Sequence, residues 1–172
     1  MVLNDFEKGF LVGLIEGEGS IFINRRVDKR VGRSLNGFTL CPCVDVTNTD
    51  FQLISFYESI VKKIMSVESY RTKIATNLGN LNLVEAAKRG EGKWSVKWKI
   101  GYRVRIHDKQ TIISLFREIG DLLVSKKERA KLLLEWCCSR KANLLKFRRQ
   151  AYTEREKELY NILHVANKRG VG

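Results

Sequence analysis

The stretch Phe10-Leu11-Val12-Gly13-Leu14-Ile15-Glu16-Gly17-Glu18-Gly19 constrains this chain more than any other. Phe6, Phe10 and Leu14, with Leu11 and Ile15 beside them, recur at helical spacing, and Asn4 with Glu7 three residues on supplies a capped start. An ordinary amphipathic helix would not carry the rest. Gly9, Gly13 and Gly17 line one face, each costing roughly 1 kcal/mol relative to alanine in a helix interior. Small residues in register let two backbones approach closely, so this face is expected to pack against a second copy of itself. The acids are misplaced too. Glu16 and Glu18 stand at the C-terminal end, where the helix dipole is negative and a carboxylate is disfavoured by about 0.3–1 kcal/mol. A bound cation would resolve that conflict, and local rules broken together at one place mark a functional site. The plain alternative is an amphipathic helix closed by a glycine cap at Gly19.

From Ser20 the period changes to two. Ile21 and Ile23 point one way, and Phe22, Asn24 and Arg26 the other. A basic, glycine-containing turn region follows over 25–33. Phe38, Leu40, Val44 and Val46 then share one parity against Thr39, Cys41, Cys43 and Asp45. Pro42 falls on the inward parity and lacks a ladder donor, which predicts an edge position or a bulge. Thr47-Asn48-Thr49-Asp50 opens a helix whose apolar positions run from Phe51 to Ile64. A second strand pair is expected: Arg71 and Lys73 alternate with Tyr70, Thr72 and Ile74, and Lys97, Lys99, Arg103 and Arg105 alternate with Trp98, Ile100, Tyr102, Val104 and Ile106 across Gly101, where a bulge is expected. The link over 77–93 is polar. Another amphipathic helix covers about 109–124, and helix resumes from Lys127 with breaks near 139–143 and 152–153. The order is αββαββα with extra C-terminal helices, a single α+β domain over 1–172 with one copy of the acidic glycine motif.

Lysine and arginine outnumber the acids 32 to 19, a net charge of +13. The excess is spread through the segments rather than held in a tail, which points to a built-in surface for a polyanion, nucleic acid first. No apolar run approaches the roughly 20 residues that span a membrane, so no membrane partner is expected. The N-terminus carries Asn4, Asp5 and Glu7 rather than a basic and then apolar leader. The four cysteines, Cys41, Cys43, Cys137 and Cys138, lack CxxC spacing, so neither a zinc site nor a disulfide framework is expected and an intracellular setting fits.

Leu11-Val12-Gly13-Leu14-Ile15-Glu16-Gly17-Glu18-Gly19 resembles the LAGLIDADG motif of homing endonucleases, with Val for the first Ala, Gly for the second and Glu for both Asp. Ser20-Ile21-Phe22-Ile23 is similar to the strand that leaves the motif in that family. The resemblance implies the LAGLIDADG fold, an antiparallel β-saddle on a helical layer. With one motif in the chain it implies a homodimer, joined through the Gly9, Gly13 and Gly17 face. It assigns the catalytic metal ligand to Glu18, with the Gly19 carbonyl as a further ligand, and gives Glu16 a supporting role at the helix end. Asn48 matches a polar position that orders active-site water. Lys126 matches a basic position near the scissile phosphate, with Lys127 the alternative one residue on. The implied cofactor is Mg²⁺, with Mn²⁺ able to substitute and Ca²⁺ expected to bind without supporting cleavage. Glu in place of Asp at position 18 moves the carboxylate outward by about a bond length, and geometry of that order matters to rate.

The implied activity is site-specific hydrolysis of both strands of a long, pseudo-palindromic DNA duplex, in a protein of the intron-encoded type, in an archaeal cytoplasm or an organelle. The alternative is a non-cleaving binder on the same fold, an intron RNA maturase with its own intron RNA as partner or a transcriptional regulator. Candidate DNA-contacting residues on the strands are Phe22, Asn24, Arg26, Thr39, Asp45, Arg71, Lys73, Lys97, Lys99, Arg103 and Arg105. A β-ribbon fits the major groove, and a good bidentate pair there is worth about 1–3 kcal/mol of discrimination. Arg140, Lys141, Lys146, Arg148 and Arg149 are candidates for phosphate contacts, which position without specifying. For any one of these basic residues the bland alternative is a solvated face.

Overall fold

Asn4 starts the first helix as its sequence predicts. Its side chain accepts the Glu7 N–H at 2.8 Å, and the Glu7 carboxylate accepts the Asn4 N–H at 3.2 Å, which closes a capping box. The computed structural model describes residues 3–27, 37–65, 77–78, 101–139 and 151–167. Helix α1 spans Asp5–Glu18 and passes without a loop into strand β1, Gly19–Val27. Strand β2, Phe38–Asn48, returns antiparallel, and helix α2, Phe51–Ile64, follows. Strands β3, Asn77–Leu78, and β4, Tyr102–Ile106, form the second pair. Helix α3, Lys109–Ile119, a 3-10 turn at Gly120–Leu122, and helices α4, Lys127–Ser139, and α5, Glu154–Ala166, complete the order. This is the αββαββα plan followed by further helices.

The sheet is antiparallel in the order β1-β2-β4-β3. The period-two pattern decides its faces. Ile21, Ile23, Leu40, Val44, Val46, Val104 and Ile106 are buried against the helical layer, into which α1 sends Leu11 and Ile15, α2 Tyr57 and Ile60, α3 Leu115 and Ile119, and α4 Leu133 and Trp136. The opposite face carries Phe22, Asn24, Arg26, Thr39, Asp45, Arg103 and Arg105, as their register requires.

Three local expectations changed. Asn77–Leu78 falls in the stretch that reads as a polar link, yet it pairs with Arg103 and Tyr102 because β4 offers an open edge there. The strand expected over 70–74 lies outside the described residues. The helix expected to 124 stops at Ile119, where Gly120 hands the chain to the 3-10 turn. Pro42 sits in a strand that is central in the sheet, but the β4 ladder ends at the Val44–Ile106 pair. Beyond it the Pro42 carbonyl meets His107 Nδ1 at 3.3 Å, so the missing N–H costs no ladder bond. Among the described residues no helix is long and apolar enough to cross a membrane.

Candidate active site and nucleic-acid interface

The end of α1 solves its dipole problem with a lysine from far along the chain. No basic residue stands in the last turn of α1. Lys126 supplies the charge instead: its ammonium donates to the carbonyls of Ile15 at 2.7 Å, Glu16 at 2.6 Å and Gly19 at 2.7 Å. Those three bonds use the three donors of an ammonium group. Burial lowers the Lys126 pKa from its ordinary value, against the neighbouring Glu16 and Glu18 charges that favour the cation. Lys127 turns the other way, donating to the Asp121 carbonyl at 3.0 Å. Of the two lysines only Lys126 reaches the motif.

Glu16 faces the same junction with its side chain. Its carboxylate accepts the backbone N–H of Val124 at 2.6 Å and of Lys126 at 3.3 Å, together with the Ser125 hydroxyl. Burial on its own would raise the Glu16 carboxyl, but these hydrogen bonds and the Lys126 charge outweigh it and hold the pKa below the usual value. Glu16 therefore ties α1 to the chain that enters α4.

Glu18 is different. It is the last residue of α1 and is exposed, and no hydrogen bond or ion pair engages its carboxylate among the described residues. Gly19 follows in an extended conformation, φ −77° and ψ 149°, with its N–H bonded to the Ile15 carbonyl. A Cβ at position 19 would lie 2.6 Å from that carbonyl oxygen, so glycine is required by close approach and not by backbone handedness. Asn48 ends β2 two residues beyond Val46, the partner of Gly19. Its Oδ1 accepts the Asp50 N–H at 2.8 Å, while Asp50 caps α2 through the N–H groups of Gln52 and Leu53. The helix cap is thus Asp50, and Asn48 shapes the turn before it.

The outward stripe of α1 is open. Gly9, Gly13 and Gly17 are exposed, and a Cβ on any of them would meet nothing within 4 Å. At the N-terminal end of the stripe Phe6 is 71% exposed, and Phe6 and Phe10 both contact Phe56 of α2.

On the saddle face Asp45 is 5% exposed. Arg103 grips it through Nε at 2.6 Å and through Nη2, and Arg105 through Nε at 3.2 Å and Nη2 at 2.7 Å. Burial raises the Asp45 pKa, against the Arg103 hydrogen bonds and charge and the His107 charge. Arg26 reaches His107 at 3.4 Å. Burial lowers the His107 pKa, the Pro42 carbonyl opposing and the Arg26 charge assisting. At the β1 edge a cavity of about 470 Å³ opens between Phe22, Asn24, Asp45 and Arg103 on one side and Tyr160, His164 and Asn167 of the C-terminal segment on the other. Arg71, Lys73, Lys97, Lys99, Arg140, Lys141, Lys146, Arg148 and Arg149 lie outside the described residues.

Two contributors lie outside the residues expected from the sequence. His107 continues the Arg103 and Arg105 parity past the end of β4, a signal that was available. Asn167 donates to the Ile21 carbonyl of the edge strand β1 at 2.9 Å, and no local pattern announces that.

No protein-family model matches the sequence, and no match is found among curated proteins. Solved structures do match. An archaeal intron-encoded homing endonuclease, I-Vdi141I, complexed with DNA aligns with a TM-score of 0.54 at 16% identity, over 96% of this chain and 87% of that one. The I-SmaMI LAGLIDADG homing endonuclease bound to cleaved DNA aligns at 0.53 and 17%, over 99% and 45%. The homing endonuclease I-CvuI, in complex with the I-CreI target, aligns at 0.50 and 12%, over 77% and 66%. The chain has the LAGLIDADG homing-endonuclease fold. It spans less than two thirds of the I-CvuI and I-SmaMI chains. In the LAGLIDADG frame α1 carries the motif, and the Asp45 face is the saddle.

Proposed function

We propose that this chain is a LAGLIDADG homing endonuclease of the single-motif type, which cuts both strands of a long, pseudo-palindromic duplex as a homodimer with a divalent cation. The observation that carries the proposal is the contrast between the two motif acids. Glu16 is hydrogen-bonded into the α1–α4 junction, whereas Glu18 presents an uncommitted carboxylate beside the Gly19 carbonyl at the end of the saddle. A carboxylate bonded into the fold is not available to a metal, whereas an exposed one is.

The donor set fits a hard cation. Glu18 offers a carboxylate, while the Gly19 carbonyl is engaged by the Lys126 ammonium at 2.7 Å and would serve a metal only through its second lone pair. Among the described residues no three His, Cys, Asp or Glu gather as a metal cluster. Mg²⁺ suits that sparse arrangement, because it keeps several waters and takes one or two carboxylates with substrate phosphate. When bound, such an ion activates water and neutralises charge developing on the leaving oxygen. The chain's own residues prepare the place. Lys126 holds the last carbonyls of α1, Glu16 fixes the entry to α4, and Asn48 shapes the end of β2. The open glycine stripe lets a second α1 approach, bringing two Glu18 carboxylates to one axis. On the saddle Asn24, Arg26, Arg103 and Arg105 would meet base edges or phosphates. A neighbour crystallised with a DNA target in the presence of Mg²⁺, its DNA not cleaved, supports duplex DNA as the partner.

The test is Glu18→Gln beside the wild-type protein. Wild type is incubated with a library of randomised duplexes in Mg²⁺, and cut products are sequenced. The expected result is recurrent cleavage at a defined site, abolished by Glu18→Gln, with binding in Ca²⁺ retained. Tight binding by wild type without cutting in Mg²⁺ or Mn²⁺ would leave the non-cleaving binder in its place.

A further inference from the structure

One acid stands in the middle of the basic saddle, and its surroundings are those of an organiser. Asp45 lies on β2 between Ser20 of β1 and Arg105 of β4, with Arg103 paired to the neighbouring Thr47. It is 5% exposed, yet both its oxygens are occupied by guanidinium donors from the neighbouring strand. Each arginine uses Nε and Nη2 on Asp45, and their side chains remain 38% and 23% exposed. The guanidinium planes are therefore held while part of each still faces outward. A planar fork held by a buried acid loses less freedom on reaching a base than a free side chain does. The acid also changes the charge balance: two arginines with one aspartate present a net +1, where the arginines alone would present +2. Phosphate affinity follows charge, while base readout follows geometry.

We propose that Asp45 is a specificity-determining positioning residue, which fixes Arg103 and Arg105 for base edges and reduces their grip on the phosphates of arbitrary DNA. This inference rests on the reading of the saddle as a DNA-binding surface. Asp45 itself touches no base in this scheme and acts through the arginines. A surface acid without this role would be tolerated as a change of net charge alone.

Two substitutions separate charge from position. Asp45→Asn keeps the shape and removes the charge; Asp45→Glu keeps the charge and displaces the carboxylate by one methylene. Each variant and wild type select sites from a randomised duplex library in Ca²⁺, and binding to a random-sequence 30-base-pair duplex is titrated against salt. Asp45→Asn is expected to raise random-duplex affinity about tenfold, to steepen the log–log salt slope by about 0.9 for each phosphate newly gripped, and to flatten sequence preference at adjacent positions. Asp45→Glu is expected to leave the slope unchanged and still flatten the same positions. If wild type selects a site and both variants select it with the same information and the same slope, the inference is overturned. If wild type selects no site at all, the DNA-binding reading fails, and this inference falls with it. Melting curves confirm folding, and should Asp45→Asn not fold, Asp45→Glu decides alone.

Discussion

Replacing Lys126 with methionine should cost the fold more than a half-exposed lysine ordinarily would. Methionine keeps most of the stem and removes the ammonium, so the carbonyls of Ile15, Glu16 and Gly19 lose a donor that now sits at 2.6–2.7 Å from all three. A hydrogen bond to a charged group contributes about 1.5–3 kcal/mol net. The three bonds here share one ammonium, and water can reach some of the released carbonyls, so they do not sum. Loss of the opposite charge at the negative end of the dipole adds about 0.3–1 kcal/mol. The expected total is about 2–3 kcal/mol. At this chain length each kcal/mol moves the melting temperature by about 2–4 °C, so Lys126→Met should melt about 5–10 °C below wild type at neutral pH without divalent ions. Lys127→Met is the control: its partner Asp121 is 96% exposed, and the change should stay within about 1 °C, as surface pairs do. Differential scanning calorimetry of the three proteins reads this directly. If Lys126→Met melted with wild type and Lys127→Met, the ammonium would not be holding the α1 terminus, and the account of that site would be wrong.

Two further outcomes follow from the same helix. The Glu16 carboxyl is held below 4.5 in the folded protein, so its contribution is fully present above that value and is lost as the pH falls through the folded pKa. Glu16→Gln should therefore be less stable than wild type at pH 7 by about 1 kcal/mol, with the gap in melting temperature closing as the pH falls below the ordinary carboxylate range; a gap independent of pH would refute this. Gly13→Leu should leave the monomer at least as stable, since a Cβ there meets nothing within 4 Å and leucine gains about 0.8 kcal/mol in helix propensity. It should also abolish the dimer in sedimentation velocity, and a persistent dimer would move the interface off the glycine stripe.

What the sequence made legible was local and periodic. The capping box at Asn4 and Glu7, the helical period to Ile15 and the alternation from Ile21 to Arg26 rest on residues close in the chain, and the structure contains each of them. The α+β order followed from those periods. Long-range pairings were not legible. Lys126 lies 107 residues from Gly19 and Arg103 lies 58 from Asp45, and no local rule says which charge will meet which. Asp45 reads as one more outward polar residue in β2 because parity sets the face and says nothing about burial by a neighbouring strand. Pro42 reads as an edge residue, which holds on one side only, since sequence cannot show where a partner strand ends. Asn48 reads as part of a cap, and the shift to Asp50 reflects competition among four adjacent capping residues, Thr47, Asn48, Thr49 and Asp50, of similar strength.

The structure also narrows what the misplaced acids mean. On sequence alone, the negative dipole end with Glu16 and Glu18 calls for a cation, and a metal is one way to supply it. Lys126 supplies it from within the chain, so helix stability by itself no longer demands a metal. Glu16 is accounted for by its bonds to Val124, Ser125 and Lys126. Glu7, the buried acid of the same helix, is accounted for by Asn4 and Lys63. Glu18 has no such account among the described residues. It stands exposed at the end of the helix, its charge favouring the Lys126 cation but with no hydrogen bond or ion pair among the described residues, next to a glycine required by the close Ile15 carbonyl. On the proposed reading, the partner of that carboxylate is a cation shared with a phosphate.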